Sequence, residues 1–272
     1  MKQLTPNVYV ETGNEGCNTG FVVTSEGVFA HDAPMMTEQA KAWAAEIAKH
    51  GTPRYVVSGE PHIDHLSGMC YLGGTLIGHE GTREKILKMS INEYKAKMAK
   101  FHPDTPIDKD IHYRAPDITI KGSITIYLGK HTFKLLVTPG HTPWNVCTFV
   151  PEEKVIFTSD TVTGDVSVLD DAMPGEWIEN LKFIQTLDVD KIVCGHGEVM
   201  DKSYIPEFIK GIQTWVDVVG DAIKKGMTLE EAQKNITMEK EFPDILKKCP
   251  WKPDIVSVNV AKVYAYLKNK KA

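Results

Sequence analysis

The sequence predicts an α/β fold with its chemistry gathered at strand ends and a helical stretch at its C-terminal side. Three observations predict it. Short apolar runs rich in Val, Ile and Phe recur between Val8 and Val193, in alternation with segments of helical period. Four of these runs lead into residues able to bind a metal ion: Glu60, His62, Asp64 and His65 after Arg54 to Val57, His141 after Phe133 to Val137, Asp160 after Val155 to Phe157, and His196 after Lys191 to Val193. From about Ser203 onward the pattern is helical. Strand ends of one sheet face one edge, where α/β folds place their sites, so these seven side chains are expected to converge.

In chain order, Val8 to Val10 and Phe21 to Val23 read as strands joined by the Gly-rich turn from Thr12 to Gly20. Val28 to Ala30 reads as a third strand, ending at His31 and Asp32. Thr37 reads as the cap of a helix whose Ala40, Trp43, Ala44 and Ile47 repeat at one face, which makes Trp43 core. Thr75 to His79 reads as a strand and Glu84 to Phe101 as one helix. His102 to Pro116, with three prolines, reads as a loop long enough to serve as a lid. Ile118 to Ile120, Ile124 to Leu128 and Thr132 to Val137 follow as strands, with a hairpin turn at Gly129-Lys130. Gly164 to Gly175 is an acidic loop and Glu176 to Leu187 a helix. Ile205 to Lys225 and Asp254 to Lys268 are further helices, and Thr228-Leu229-Glu230-Glu231 carries a capping box. The expected division is a catalytic domain at 1–202 and a helical extension at 203–272.

The 272 residues, 42% hydrophobic, suffice for a packed core, and a net charge of -5 without a basic block argues against nucleic acid and anionic membranes as partners. Five cysteines with no CxxC pair suit reduced thiols, no apolar signal core precedes the first strand, and no run is long enough to span a membrane. A cytoplasmic protein is the expectation.

The order Glu-x-His-x-Asp-His at Glu60 to His65, Gly-His-Thr at Gly140 to Thr142, Asp160 at a strand end and Gly-His-Gly at Gly195 to Gly197 resembles the metallo-β-lactamase superfamily, whose pattern begins His-x-His-x-Asp-His. The resemblance covers about the first three quarters of the chain. It implies a four-layer αβ/βα sandwich of two mixed β-sheets, here with a C-terminal helical extension. It also implies two divalent metal ions, zinc, manganese or iron. Glu60, His62 and His141 would hold the first, Asp64, His65 and His196 the second, and Asp160 would bridge them. Asp32 would support a ligand by hydrogen bond, and Asp64 would carry a proton to the leaving group.

One position departs from the family pattern: its first histidine is Glu60 here. A third carboxylate beside two divalent ions enriches the site in oxygen and shifts preference from zinc toward manganese or iron. The expected reaction is hydrolysis, a hydroxide shared by the two ions attacking a small carbonyl substrate: an ester, thioester, lactone or cyclic amide, or the carbon-carbon bond of a cyclic diketone. The competing reading is a di-iron or mono-iron redox enzyme acting on oxygen, nitric oxide or a persulfide. A homodimer paired through the C-terminal helices is a further expectation.

Overall fold

The backbone forms runs of strands interrupted by helices through its first two thirds, because β-branched pairs such as Val56-Val57 fill a pleated surface while Ala- and Lys-rich stretches do not. The computed structural model describes residues 1–166, 168–250 and 252–269; the last three positions of the expected C-terminal extension lie outside these. Within them the strands are β1 (Lys2–Gln3), β2 (Val8–Glu11), β3 (Thr19–Thr24), β4 (Gly27–His31), β5 (Pro53–Ser58), β6 (Thr75–His79), β7 (Ile118–Ile120), β8 (Ile124–Leu128), β9 (His131–Val137), β10 (Val146–Val150), β11 (Val155–Ser159) and β12 (Lys191–Cys194). They form a seven-stranded sheet in the order β1 to β7 and a five-stranded sheet in the order β12-β11-β10-β9-β8.

Both sheets are mixed. β1 to β4 pair antiparallel, and β4 to β7 pair parallel across helical crossovers. β8 to β11 pair antiparallel and β12 joins β11 parallel. Side chains from both sheets fill one core, among them Val10, Val22, Phe29, Val57, Ile77, Phe133, Val146, Phe157 and Val193. Phe29 of β4 stacks on Phe133 of β9 with ring centroids 4.0 Å apart. The opposite face of the larger sheet packs Phe21, Val56 and Leu76 against Trp43 and Ile47 of the helix Thr37–His50, as the periodicity of that helix requires. These two mixed sheets with helices form an α/β sandwich, and C-terminal helices follow.

By its internal contacts the chain divides into two units. The first comprises 1–138, 144–164 and 187–202 and contains both sheets; the second comprises 139–143, 165–186 and the described residues from Ser203 onward. In the second unit the helices Pro174–Thr186, Ile205–Lys224 and Ile255–Asn269 bury Trp177, Phe208, Trp215 and Val263. Trp215 stacks on Phe242 and donates its indole N–H to the Val166 carbonyl at 3.3 Å. The capping box at Thr228 forms with both of its hydrogen bonds.

Two local readings are corrected. The stretch read as one helix from Glu84 to Phe101 is two helices, Glu80–Ile86 and Ile91–Phe101, because Ser90 breaks the run and caps the second by accepting from the Asn92 N–H at 3.2 Å. Thr37 is the first helical residue and not the cap; Met36 occupies the cap position in extended conformation. The loop 102–116 is fastened, with Ile111 in a buried cluster beside Tyr94 and Met98 and Arg114 donating to the Leu72 and Gly74 carbonyls at 2.9 and 2.7 Å.

Candidate metal centre

Each ligand-type residue sits on a turn that leaves a strand, as sequence order implies. Glu60 and His62 follow β5, and Asp64 and His65 lie on the short helix Ile63–Leu66 that His62 precedes. Asp160 follows β11 and His196 follows β12. Small residues make the approach possible. A Cβ on Gly59 would lie 1.7 Å from Ser159 Oγ, and one on Gly195 would lie 1.8 Å from Asp160 Oδ1 and 2.6 Å from the Ser159 carbonyl carbon. Only glycine lets these turns meet.

His65 is the hub. Its Nδ1 lies 2.8 Å from Asp32 Oδ2, and since a buried carboxylate only accepts, the ring donates there and directs the Nε2 lone pair the other way. On that side wait Glu60 Oε1 at 3.1 Å, Asp160 Oδ1 at 3.3 Å and Asp64 Oδ2 at 3.8 Å. His196 Nε2 lies 3.3 Å from Asp160 Oδ1 and 3.4 Å from Asp64 Oδ2, and His62 Nδ1 lies 3.3 Å from Glu60 Oε1. His65 Nε2 and Glu60 Oε1 are buried and take no hydrogen bond. Lone pairs converging in a buried space repel unless protons or a cation sit among them. The donor set therefore fits metal ions.

Within the first unit the ligand atoms fall into groups within 4.8 Å of one another: Glu60, His62 and Asp160 in one, and Asp64, His65 and His196 in another. Six of the seven side chains singled out in the sequence belong to these groups, and the seventh, His141, lies in the second unit. A further group joins Cys17, Asp32 and His65. There the Cys17 thiol is pushed up to about 11 by burial and lies 3.5 Å from the Ala33 carbonyl, so it is a neutral donor and a poor ligand.

The electrostatics point the same way. Burial alone would lower the pKa of His65, but its neighbours Cys17, Asp160, Glu60 and Asp32 hold it well above its ordinary value. Burial opposes the charge of His196 too, and Asp160 and Asp64 overcome it and raise that imidazole well above normal. Burial would raise Asp160, yet His196 and His65 hold it well below the usual carboxylate range, and Asp64 is lowered likewise against burial by His196 and His65. The pocket attracts positive charge, which protons or divalent cations can supply.

The second unit holds the segment 139–143 that carries His141. Asn180 Nδ2 donates to the Pro139 carbonyl at 2.8 Å, Met173 N–H donates to the Gly140 carbonyl at 2.7 Å, and the His141 ring meets Trp177 edge-on with centroids 5.5 Å apart.

Several supporting residues escaped the sequence reading. Asn145 Nδ2 donates to Glu60 Oε2 at 3.1 Å across 85 positions. Asn18, within the stretch read only as a turn, donates from Nδ2 to the Cys194 and Gly197 carbonyls at 2.9 and 2.8 Å and from its backbone N–H to the Gly195 carbonyl at 2.7 Å, fastening the His196 turn. Ser159, with φ of 44°, donates to Asp32 Oδ2 at 2.6 Å and lies 2.9 Å from His31 Nε2. His31 also meets Thr148 Oγ1 at 2.9 Å; it is a buried crosslink between β4 and the β10-β11 pair, with a pKa lowered by burial. These partners are sequence-distant, and only Ser159, adjacent to Asp160, carried a local signal.

Comparison with known proteins agrees with this geometry. A family model described as the metallo-beta-lactamase superfamily matches residues 13–196. The chain is 27% identical over 192 residues to a beta-lactamase-like protein 2 homolog of Caenorhabditis elegans, an alignment covering 69% of this chain and 58% of that one. It is 24% identical over 221 residues to a metallo-beta-lactamase type 2 of Elizabethkingia meningoseptica, covering 75% and 81%, and 27% identical over 179 residues to a hydroxyacylglutathione hydrolase of Brucella ovis, covering 62% and 61%. Among solved structures, a metallo-beta-lactamase family protein of Thermus thermophilus shares the fold with a TM-score of 0.69 at 15% identity, covering 99% of this chain and 96% of that one. Strand-end ligand turns, the hub at His65 and the matched region together make the chain a member of the metallo-beta-lactamase superfamily, with metal-dependent hydrolases as its relatives.

Proposed function

We propose that the protein is a binuclear metal-dependent hydrolase of a small carbonyl substrate, an ester, thioester, lactone or cyclic amide. The observation that carries this reading is the convergence of Glu60, Asp64 and Asp160 oxygens on the Nε2 of His65, whose other nitrogen is committed to Asp32. Glu60, His62 and His141 would hold one ion and Asp64, His65 and His196 the other, with Asp160 available to both. When bound, such a pair supplies an activated water near neutral pH and a Lewis acid for the carbonyl oxygen. The chain's own part is to fix the ligands and to move a proton. Asp64 shares His196 with Asp160, and its side chain is 23% exposed where those of Glu60 and His65 are closed off, so it is the carboxylate placed to take a proton from the attacking water and pass it to a departing group. His196, with a side chain 37% exposed, marks the open side of the centre.

Net acidity, the absence of a basic block and the names of the relatives, a hydroxyacylglutathione hydrolase and metallo-beta-lactamases, support an acyl compound over nucleic acid. Among the described residues no helix is long and apolar enough to cross a membrane. The five free cysteines favour a reducing compartment, and we place the protein in the cytoplasm on that ground.

The test is metal analysis followed by a substrate panel. Protein reconstituted with zinc, manganese or iron is expected to hold two ions per chain and to hydrolyse at least one of a set of lactones, thioesters and β-lactams, with activity lost on chelation and restored by metal. Full activity in chelator sinks the proposal. Visible absorbance that responds to dithionite would favour the iron redox reading instead.

A further inference from the structure

Glu60 stands where the superfamily pattern begins with histidine, and the structure shows how this chain has accommodated the change. Its side chain is fully buried, and the backbone that carries it is stitched down: Ser58 Oγ donates to the Glu60 carbonyl at 3.1 Å, and the Val146 N–H donates to the Gly59 carbonyl at 2.8 Å. That second bond brings β10 alongside, and with it Asn145, itself fully buried, whose Nδ2 donates to Glu60 Oε2 at 3.1 Å. A carboxylate only accepts, so the amide nitrogen and not the amide oxygen must face it. Glu60 Oε2 is thereby committed. Oε1 takes no hydrogen bond and lies 3.3 Å from His62 Nδ1 and 3.1 Å from His65 Nε2.

We propose that Asn145 holds Glu60 as a one-oxygen ligand, and that the pair tunes the ion site of Glu60, His62 and Asp160 toward manganese(II) or iron(II) and away from zinc. The inference rests on the metal-site reading above. With histidine at position 60 the group would offer two imidazole nitrogens and one carboxylate oxygen; with Glu60 it offers one imidazole nitrogen and two carboxylate oxygens. Carboxylate oxygens suit harder ions, and imidazole nitrogens suit zinc and its neighbours. Zinc still binds tighter than manganese to most sites of this kind, so the signature is a narrowed gap between the two affinities. Asn145 is a positioning residue here. By engaging Oε2 it disfavours chelation through both oxygens and presents Oε1 in a fixed direction, and an outer partner of this kind is worth roughly 10- to 100-fold in metal affinity.

The test uses the full chain freed of metal and titrated with manganese(II) and zinc(II) in competition, read by bound-metal analysis and by the electron paramagnetic resonance of bound manganese. Glu60→His is expected to shift the manganese-to-zinc ratio toward zinc by roughly tenfold or more. Asn145→Ala is expected to lower manganese affinity by roughly tenfold and to broaden or shift the manganese resonance. In the Glu60→His background the same Asn145→Ala change is expected to have no effect on the ratio. Should Glu60→His fold poorly, as judged by circular dichroism, Glu60→Gln keeps the shape and removes the charge, and it is expected to weaken manganese at least as much as Asn145→Ala.

An unchanged ratio in Glu60→His or Glu60→Gln overturns the proposal, as does an Asn145→Ala effect of equal size in both backgrounds. A chain that takes up no divalent ion overturns the metal-site reading and this inference with it. A chain that binds two ions and hydrolyses its substrate, but whose metal preference ignores position 60, overturns this inference alone.

Discussion

Asp32 Oδ2 accepts a hydrogen bond from His65 Nδ1 at 2.8 Å, in a buried pocket. Ser159 Oγ donates to the same oxygen at 2.6 Å, and the Gly59 N–H donates to Oδ1 at 2.8 Å. Burial works against its charge, but His31 and His65 hold its pKa below the usual carboxylate range. Asp32→Asn would turn an amide N–H toward at least one of these donors and release the His65 ring. We expect roughly 10- to 100-fold weaker binding of the ion that His65 holds. Metal analysis at limiting metal should show stoichiometry falling toward one ion per chain, and an undiminished second ion would refute the role assigned to Asp32.

Ser159 joins two buried groups, His31 Nε2 and Asp32 Oδ2. Removing its hydroxyl in Ser159→Ala leaves His31 Nε2 without that partner and Asp32 Oδ2 with the His65 N–H alone. The expected loss is about 1–3 kcal/mol of unfolding free energy, the cost of a buried polar group left unpaired. Urea denaturation of the metal-free protein measures it without interference from ligand binding. A change below a few tenths of a kcal/mol would mean that the crosslink contributes nothing.

The loop that carries His141 depends on close contact within its own unit. A Cβ on Gly140 would fall 2.6 Å from the Trp177 ring, and Asn180 holds the Pro139 carbonyl. Gly140→Ala is therefore expected to destabilise by about 1–3 kcal/mol through overpacking. Asn180→Ala should lower stability by about 1 kcal/mol through loss of one hydrogen bond. Thermal melts of both variants, with tryptophan fluorescence reporting on Trp177, distinguish the two. A fluorescence spectrum unchanged in Gly140→Ala would show that the loop accommodates the methyl group elsewhere.

What was legible in the sequence follows from the range over which each signal acts. Strands such as Val56-Val57 and Ile192-Val193 announce themselves by local composition, and ligand types placed just past them give the site, because the chain must turn there. The break between Ile86 and Ile91 was missed, since lysine-rich helical propensity continues across it and only the Ser90 cap ends it. Asn145 and Asn18 were silent for a different reason. Their partners Glu60 and Cys194 stand 85 and 176 positions away, and an asparagine in a turn carries no mark of which distant carboxylate or carbonyl it will meet.

Groups outside the metal centre make the fold sensitive to alkali. Burial pushes the Cys147 thiol from 9.0 up to about 11, with Thr138 and Thr161 offsetting part of the effect. Burial likewise raises the Tyr71 and Tyr113 hydroxyls from 10.0 to about 12. A group whose folded pKa exceeds its unfolded one holds more protons when folded, so its contribution to stability is full below the unfolded value and disappears as pH rises through the folded one. The window here runs from about pH 9 to about pH 12. Cys147 alone sets a slope of up to about 1.4 kcal/mol per pH unit between its two values. Stability measured by urea denaturation is expected to fall steeply across this window, with tyrosinate absorbance rising in step with unfolding. Cys147→Ala should make the lower part of the fall shallower and Tyr113→Phe the upper part. Stability that stays flat from pH 9 to 12, or an Ala variant with the slope of the parent, would show that these groups ionise without opening the fold.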